Sequence, residues 1–439
     1  MLIDFSVTNF ASFKEEALLS AETGERLSRF KNTNTLKENN YSLLKNLLIF
    51  GPNGSGKTNL LVALRRMQMM VLHDPATVTE RLAYQPYLFA IDSQTTPTHF
   101  KVTFNHQAET FTYEFAYTAQ EICYEKLTRV KKTTARIYFE RSYQDFLILP
   151  QELKNVAQHT KENSLLLYTA QNANDPYAKS VLRWFAEDLI FVSTIQPERH
   201  DELIQLIDRP PVKTELLAFL KFADIHITDI KTAKFAPTQS TSAFNLNESQ
   251  LNSTRPTYQI LTVHQIYNSL GEVFSTTELP LTHESRGTQK VFWIALFIIF
   301  AQLNGSGKTL LFDEFDDSLH FELSNALIKI FNSKNNLNQF ILTTHELQLL
   351  DCPVRVDQLY LVEKDFSGCS DLKSIFDFQD SRKTTRSGIS LMKKYLAGNF
   401  GSIPNIDAAQ MLAALNNQEN KNGQKIAWSP TKEKHCHIL

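Results

Sequence analysis

The segment from Gly51 to Thr58 carries residues that bind phosphate, at the spacing G-x-x-x-x-G-K-[ST]. In such a loop, backbone N–H groups surround the phosphates, the lysine pairs with the β- and γ-phosphates, and the hydroxyl binds Mg²⁺. We therefore predict an ATP site in which Lys57 also acts in catalysis and Thr58 is a ligand of Mg²⁺. The predicted nucleotide-binding residues of this loop are Gly51, Asn53, Gly54, Ser55, Gly56, Lys57, Thr58 and Asn59.

The six letters NGSGKT occur again at residues 304–309. In this second copy, Gln302 stands where the motif requires its first glycine. The segment before it is long and apolar, which is typical of a helix, and the segment LLFDEF after it is typical of a strand. No helix N-terminus would then face the loop to bind an anion. We predict that residues 305–307 of the second copy form a surface turn and that this copy binds no phosphate.

A second group of polar residues follows the apolar stretch that begins at Leu310, in LLFDEFDDSLH. A strand that ends in Asp-Glu places its first carboxylate at the metal, so we predict that Asp313 is a ligand of Mg²⁺. Glu314 is then predicted to polarise the attacking water. A strand followed by acidic surface residues is the alternative, and the phosphate loop upstream favours the catalytic interpretation.

Two further places could contact phosphate. The apolar stretch in QFILTTHELQLLD ends at His345, which is predicted to sense a γ-phosphate in catalysis, although a single histidine is more often a satisfied polar residue. Ser285 and Gly287 come just before a long apolar segment. A serine and a glycine at a helix start form an anion-binding end, so we predict that both residues bind nucleotide.

The elements that must position these residues can be recognised from their periodicity. LLIF before the first loop is a strand, and residues 59–70 repeat apolar side chains at helical spacing. Residues 98–117 alternate as an antiparallel hairpin does. Residues 151–225 contain several short helices, and the polar stretch 234–256 is predicted to be a mobile loop. The expected fold class is α/β: a P-loop NTPase with an antiparallel β-lobe and an inserted helical region.

Composition limits the location and the partners. The chain has 439 residues and a net charge of −2, so it is no polycation that binds nucleic acid everywhere on its surface. Its four cysteines form no C-x-x-C pair, which is typical of a reducing compartment. The longest apolar run, Phe292–Ala301, is too short to span a bilayer. We predict a cytoplasmic protein with no membrane partner.

A local concentration of positive charge leaves two interpretations open. Residues 124–141 contain six basic side chains among strand-like residues. A solvated sheet face is the favoured interpretation, and a patch that binds nucleic acid or another protein is the alternative.

The order of these motifs resembles the ABC-type ATPase heads of the SMC and RecF class. A closer resemblance is to the RloA/AbiL-type ATPases of bacterial phage-defence, or abortive-infection, loci, a broad group that includes the ATPase of the PARIS defence system. Three stretches carry this resemblance: DEFDDSLH, TTHELQLLD with the later DQLYLVEKD, and YLAGNFGSIPNI at residues 395–406. It implies a discontinuous ABC/SMC-like head at residues 1–135 and 258–376, an insert at 136–257 and a family tail at 377–439.

The resemblance also implies how the protein works. It implies a homodimer, or a higher oligomer, in which ATP lies between the phosphate loop of one subunit and Ser285 and Gly287 of the other. Arg286 stands where many members have glycine. A glutamine that couples Mg²⁺ to the β-lobe is expected, and Gln85 is the predicted residue.

The family context implies an ATP-hydrolysing sensor or regulator that works with a separate effector, a nuclease or toxin, and responds to a phage-derived trigger. Two alternatives remain. One is a RecF-type DNA-maintenance ATPase that holds DNA directly, and the other is a scaffold in which ATP is a structural clamp that sequesters an effector.

Overall fold

The structure is a computed structural model that describes residues 1–24, 27–131, 134–192, 201–235, 257–305, 307–378, 390–401 and 407–416. The chain divides into two units, residues 1–402 and 403–439. In the smaller unit, the described residues form the helix Ala408–Asn416, whose first N–H groups bond to the Asp407 carboxylate. All of the predicted chemical groups belong to the larger unit.

The strands of the larger unit are β1 (Leu2–Thr8), β2 (Ala17–Ser20), β3 (Thr35–Glu38), β4 (Tyr41–Leu44), β5 (Asn46–Phe50), β6 (Thr98–His106), β7 (Glu109–Tyr117), β8 (Ile122–Lys131), β9 (Thr134–Ser142), β10 (Asp145–Ile148), β11 (Leu189–Val192), β12 (Asp229–Phe235), β13 (Thr257–Tyr267), β14 (Val273–Pro280), β15 (Thr309–Phe312), β16 (Gln339–Thr344), β17 (Leu359–Lys364) and β18 (Ser370–Ser374). Its α-helices are α1 (Lys31–Asn34), α2 (Lys57–Leu72), α3 (Lys154–Gln158), α4 (Leu166–Asn172), α5 (Pro176–Arg183), α6 (Asp201–Ile207), α7 (Pro210–Phe222), α8 (Arg286–Leu303), α9 (Phe321–Phe331) and α10 (Leu391–Leu396).

A six-stranded sheet in the order β11-β15-β16-β5-β17-β18 forms the centre of the fold. Its first five strands are parallel, and β18 is antiparallel to β17. Both faces of this sheet are covered, so its strands are continuously apolar. In β5, for example, Leu47 and Ile49 face one core while Leu48 and Phe50 face the other. The predicted α/β fold of a P-loop ATPase head is therefore confirmed.

A seven-stranded antiparallel sheet in the order β10-β9-β8-β7-β6-β1-β2 is the predicted β-lobe. The predicted hairpin at 98–117 is β6 and β7, which pair from Thr98↔Tyr117 to His106↔Glu109. Its inward side chains alternate along each strand, and the Phe104 ring stacks on Trp184 with centroids 4.0 Å apart. Aromatic packing of this kind joins the lobe to the segment that follows it.

The predicted boundaries of the insert differ from the observed elements. Residue 135 falls inside β9, which pairs along its length with β8 and so continues the β-lobe. Residues 189–192 form β11, an edge strand of the central sheet. Helices α3 to α7 account for the predicted helical part. Of the predicted loop 234–256, the first two residues end β12, and residues 236–256 lie outside the described residues, as do residues 402–406 of the tail motif.

The second NGSGKT has the predicted order of helix, loop and strand, because α8 ends at Leu303 and β15 begins at Thr309. Gly305 of the predicted turn is exposed and Gly307 is half-buried, whereas the two residues that follow the turn are buried. The Lys308 side chain is only 10% exposed and donates to Asp188 at 2.6 Å, while Thr309 is fully buried. Helix α8 is buried almost throughout from Lys290 to Ala301. Within the described parts of the chain, no helix is long and apolar enough to cross a membrane.

Candidate functional site

The first NGSGKT connects the end of β5 to the start of α2, as its flanking sequence predicts. Gly54 and Gly56 have φ angles of 74° and 115°, in the left-handed region that favours glycine. A Cβ atom on Gly56 would lie 2.7 Å from Ser12 Oγ and would also meet the Ser370 hydroxyl. Ser12 and Ser370 therefore pack closely against Gly56. The loop leads directly into the N-terminus of α2, as a phosphate-binding loop requires.

Two serines that the sequence analysis missed hold this loop in place. Ser370 Oγ donates to the carbonyl of Ser55 at 2.5 Å, and Ser370 N donates to the carbonyl of Ser12 at 2.7 Å. The side chain of Asn59, predicted to bind nucleotide, donates instead to Ser12 Oγ at 2.8 Å. Both serines lie far from the loop in sequence, so no local pattern could have indicated them.

Lys57 lies at the centre of the site and is 5% exposed. Its ammonium group donates to the carbonyl oxygens of Gly51 at 2.8 Å and Pro52 at 3.1 Å. Burial lowers the pKa of Lys57, and the nearby carboxylates of Asp313 and Glu314 oppose that shift. The Lys57 ammonium group is thus held over the loop by two carbonyl oxygens. A bound phosphate would take the place of these carbonyls as its hydrogen-bond acceptor.

The carboxyl end of β15 brings Asp313 to Thr58, as predicted. Asp313 Oδ1 accepts hydrogen bonds from Thr58 Oγ1 at 3.3 Å and from Thr343 Oγ1 at 2.6 Å. A hydroxyl and a carboxylate are oxygen ligands of the kind that Mg²⁺ prefers. Their contact supports the prediction that Thr58 and Asp313 bind the metal.

His345 follows β16 and lies between Lys57 and Glu314. Its Nδ1 is 3.4 Å from the Lys57 ammonium, and its Nε2 is 3.9 Å from Glu314 Oε1. Burial and the charge of Lys57 lower the pKa of His345, against the opposing effect of Asp316 and Glu314, which favours the neutral imidazole. An ammonium group can only donate, so Nδ1 accepts and the ring proton is on Nε2, which faces Glu314.

Ser285 and Gly287 form the start of α8. Ser285 Oγ accepts from the N–H of Thr288 at 3.1 Å, which is an N-cap. A Cβ atom on Gly287 would lie 2.7 Å from the carbonyl of Ser318, in the loop after β15. In the described residues, no hydrogen bond joins Ser285 to the phosphate loop of the same chain. Among the described residues, the predicted anion-binding start of α8 is therefore not hydrogen-bonded to the phosphate loop.

Gln85 is not brought to the metal ligands. Its side chain accepts from Arg66 Nη2 at 3.5 Å, and its carbonyl accepts from the N–H of Ala11. Arg66 is eight residues along α2 from Thr58, about 12 Å along the helix axis. The observed arrangement does not support the predicted role of Gln85 as a ligand of Mg²⁺.

Buried polar atoms provide a test of whether Mg²⁺–ATP fits this site. Ser55 Oγ in the loop and Asp316 Oδ1 beside His345 are buried without a hydrogen-bond partner among the described residues. Such groups are costly unless a ligand or solvent satisfies them. Together with Lys57 and the oxygen pair at Thr58, they fit a phosphate and a hard cation. In the described regions, no group of three or more His, Cys, Asp or Glu residues is arranged to hold a metal.

Three of the six basic side chains in the stretch at β8 and β9 are paired with neighbouring carboxylates. Lys126 lies within 4 Å of Glu114 and Glu140, and Arg129 donates to Glu109 at 2.8 Å. Arg141 is fully buried against Glu125, so it does not contribute to the surface. Lys131 and Arg136 of the same stretch are exposed, so the solvated sheet face and the binding patch both remain open.

A comparison with family models finds one match, to residues 47–351, with the model described as "AAA domain, putative AbiEii toxin, Type IV TA system". That range contains the phosphate loop, Asp313, Glu314 and His345, and it covers more than half of the chain. A search of curated proteins finds no match.

Solved structures of SMC heads are among the similar ones. The SMC head domain from Thermotoga maritima is 13% identical with a TM-score of 0.37, and the alignment covers 85% of this chain and 98% of that one. An SMC head bound to the C-terminal winged-helix domain of ScpA is 11% identical with a TM-score of 0.40, with 87% and 99% covered. The fold assignment rests on the strand order of this chain.

Proposed function

The chain belongs to this AAA-domain family, and from that premise and the geometry of the site we propose that it binds and hydrolyses ATP with Mg²⁺. One observation carries the proposal. Lys57, Asp313, Glu314 and His345 come from three separate parallel strands and meet at one edge of the sheet. Ligand sites of open α/β sheets lie at the carboxyl ends of the strands.

The residues have distinct proposed roles. The loop and Lys57 would bind the phosphates, and Thr58 and Asp313 would hold Mg²⁺, which would neutralise negative charge on the phosphates. The Glu314 carboxylate, 57% exposed, accepts a proton from the attacking water. His345 directs its Nε2 proton toward the same space. Hydrolysis is then accelerated by positioning of the reactants and by stabilisation of charge, without a covalent intermediate.

We further propose that ATP is bound between two subunits. The support is the start of α8: it has the Ser-x-Gly of an anion-binding helix end, and it makes no hydrogen bond with the phosphate loop of its own chain in the described residues. A symmetric dimer in which each α8 start faces the partner's loop would complete two equivalent sites.

Mixing two inactive variants tests this shared site. Lys57→Ala removes the phosphate cation and Ser285→Arg blocks the helix end, so each homodimer should be inactive. A heterodimer should contain one site free of both changes and recover a substantial part of one site's turnover. ATPase rates measured across mixing ratios check the expectation. If every mixture stays as inactive as its parents, the site is not shared.

The defence role is the finer part of the proposal: a cytoplasmic sensor or regulator subunit with a separate effector and a phage-derived trigger. The defence setting is supported by the family description, which names a putative AbiEii toxin and a Type IV TA system. The separate effector rests on the resemblance of the tail and strand motifs.

We expect the purified protein to leave DNA and RNA intact with Mg²⁺ or Mn²⁺, with or without ATP. A metal-dependent nuclease needs several acidic ligands around its ions, and the strongest acidic group here, Asp313 to Asp317, is assigned to the ATP site. Cells should tolerate expression of this chain alone and should lose phage protection when the neighbouring gene is deleted. If the protein shows nuclease activity that a substitution outside the ATP motifs abolishes, the separate effector is contradicted. Tight, salt-sensitive binding of DNA would favour the RecF-type alternative.

A further inference from the structure

Glu314 has an unusual backbone conformation. Its φ angle is 46°, in the left-handed region that residues other than glycine seldom adopt. Such conformations persist only where the surrounding structure holds them, and they cluster at functional sites. Phe315, directly after Glu314, and Phe312, two residues before it, are buried in the core and fix the chain on both sides of the turn. The contacts that hold the Glu314 backbone in this conformation therefore point to residues that could serve its function.

Thr343, on the neighbouring strand β16, bonds to both carboxylate residues. Its hydroxyl accepts from the N–H of Glu314 at 2.7 Å and donates to Asp313 Oδ1 at 2.6 Å. Its carbonyl accepts from the N–H of Phe315 at 3.0 Å. Thr343 is fully buried, so water cannot substitute for the hydroxyl. A hydroxyl has one proton and two lone pairs, and a methyl group of the same size can make neither bond.

Lys290 holds the other side of the same peptide. It lies on α8, five residues after Ser285, and its ammonium group donates to the carbonyl of Glu314. Lys290 is 7% exposed, and burial lowers its pKa. The carboxylates of Asp313, Glu314, Asp316 and Asp317 face it and oppose that shift. The helix that begins with the second phosphate-binding end is thereby joined directly to the backbone of Glu314.

We propose that Thr343 and Lys290 are positioning residues for hydrolysis, which hold the N–H and the C=O of Glu314 so that its carboxylate points into the site. This inference rests on the proposed ATPase function and assigns roles within it. Thr343 has a second role, because it also orients Asp313. Lys290 bonds to the backbone carbonyl of Glu314, whereas Thr343 bonds to both Glu314 and Asp313. The two residues should therefore be distinguishable by experiment.

The first test compares turnover with nucleotide binding in the full-length chain. In Thr343→Val and in Lys290→Met, we expect kcat to fall about 10- to 100-fold, the scale of a misplaced catalytic group. The Kd for ATP should change by less than about threefold, because neither residue belongs to the phosphate loop. Thr343→Ser keeps the hydroxyl and should recover most of the rate. A purely structural role would not separate kcat from Kd in this way.

The second test uses the dependence of the rate on Mg²⁺ concentration. Thr343→Val releases Asp313 as well as Glu314, so the Mg²⁺ concentration for half-maximal rate should rise several-fold. Lys290→Met leaves the bond from Thr343 to Asp313 in place, and its Mg²⁺ dependence should match that of the wild type. Equal shifts in the two variants would contradict the division of roles.

The matched control is Thr103→Val, which removes a threonine hydrogen bond to Thr112 in the β-lobe, away from the site. It should leave kcat unchanged, and thermal unfolding should be measured for every variant. If Thr343→Val does not fold, Thr343→Cys replaces it. The inference is overturned if kcat is unchanged in the Thr343 and Lys290 variants, or if Thr343→Ser does not recover the rate. In that case the ATPase proposal still stands, provided that the wild-type protein hydrolyses ATP. Absence of wild-type turnover overturns both.

Discussion

Lys57→Ala should abolish ATP binding at micromolar nucleotide. The ammonium group is 5% exposed and bonds to two loop carbonyls, so it is fixed where phosphate charge would be placed. Removing one partner of a buried charge pair costs about 2–5 kcal/mol, which corresponds to a loss of affinity of about 30-fold to several thousand-fold. Isothermal titration with ATP and Mg²⁺ measures it, and affinity within a few-fold of the wild type would contradict the assignment of the loop.

The chain contains its own control for this experiment. Lys308 occupies the same place in the second NGSGKT, but its ammonium group pairs with Asp188, which also contacts His106 at 2.7 Å. Lys308→Ala should keep ATP affinity within about threefold and lower the thermal unfolding temperature, because it leaves the partner carboxylate without its cation. Loss of ATP binding in a folded Lys308→Ala protein would show that the second copy binds nucleotide after all.

Glu314→Gln should keep ATP affinity and slow hydrolysis by about 10²-fold or more, the usual scale for loss of general-base assistance. The amide is nearly the same size as the carboxylate, so the backbone contacts to Thr343 and Lys290 should be retained. Because ATP then persists between subunits, the variant should accumulate as a dimer with ATP and Mg²⁺. Single-turnover hydrolysis and light scattering measure the two effects.

Glu322→Gln is the matched control for that variant. Glu322 lies in the first turn of α9 and is exposed, eight residues beyond Glu314, so the substitution makes the same charge change outside the site. Its turnover should equal that of the wild type. Normal turnover in Glu314→Gln would instead move the general base to another residue, and slow turnover without a stable dimer would contradict the shared site.

The residues that meet at the site were predictable because each lies at the end of a local pattern. A phosphate loop between a strand and a helix, and apolar stretches that end in Asp-Glu or in Thr-Thr-His, are short segments with their own periodicity. Once the strands are parallel, their carboxyl ends share one sheet edge. Lys57, Asp313, Glu314 and His345 are then brought together without further information from the sequence.

The predictions that differed from the structure depended on pairing between distant segments. The predicted boundary between residues 135 and 136 falls inside a strand, because β9 adds to β8 in the lobe. Gln85 contacts Arg66 instead of the predicted metal ligands, because the loop that carries it is hydrogen-bonded to the turn at Ala11. Whether a strand continues a sheet, or where a loop side chain points, depends on neighbours that the local sequence does not contain.

The sequence by itself therefore determined the phosphate loop, the acidic strand end, the histidine and the α/β class, because each follows from residue types and spacing within one element. Only the tertiary structure decided that the second NGSGKT is partly buried with Lys308 on Asp188, and that Ser12 and Ser370 enclose the first. It alone placed Thr343 and Lys290 on the peptide of Glu314. These contacts join residues from 24 to 315 positions apart, and side-chain hydrogen bonds over such separations exist only after the strands and helices have packed.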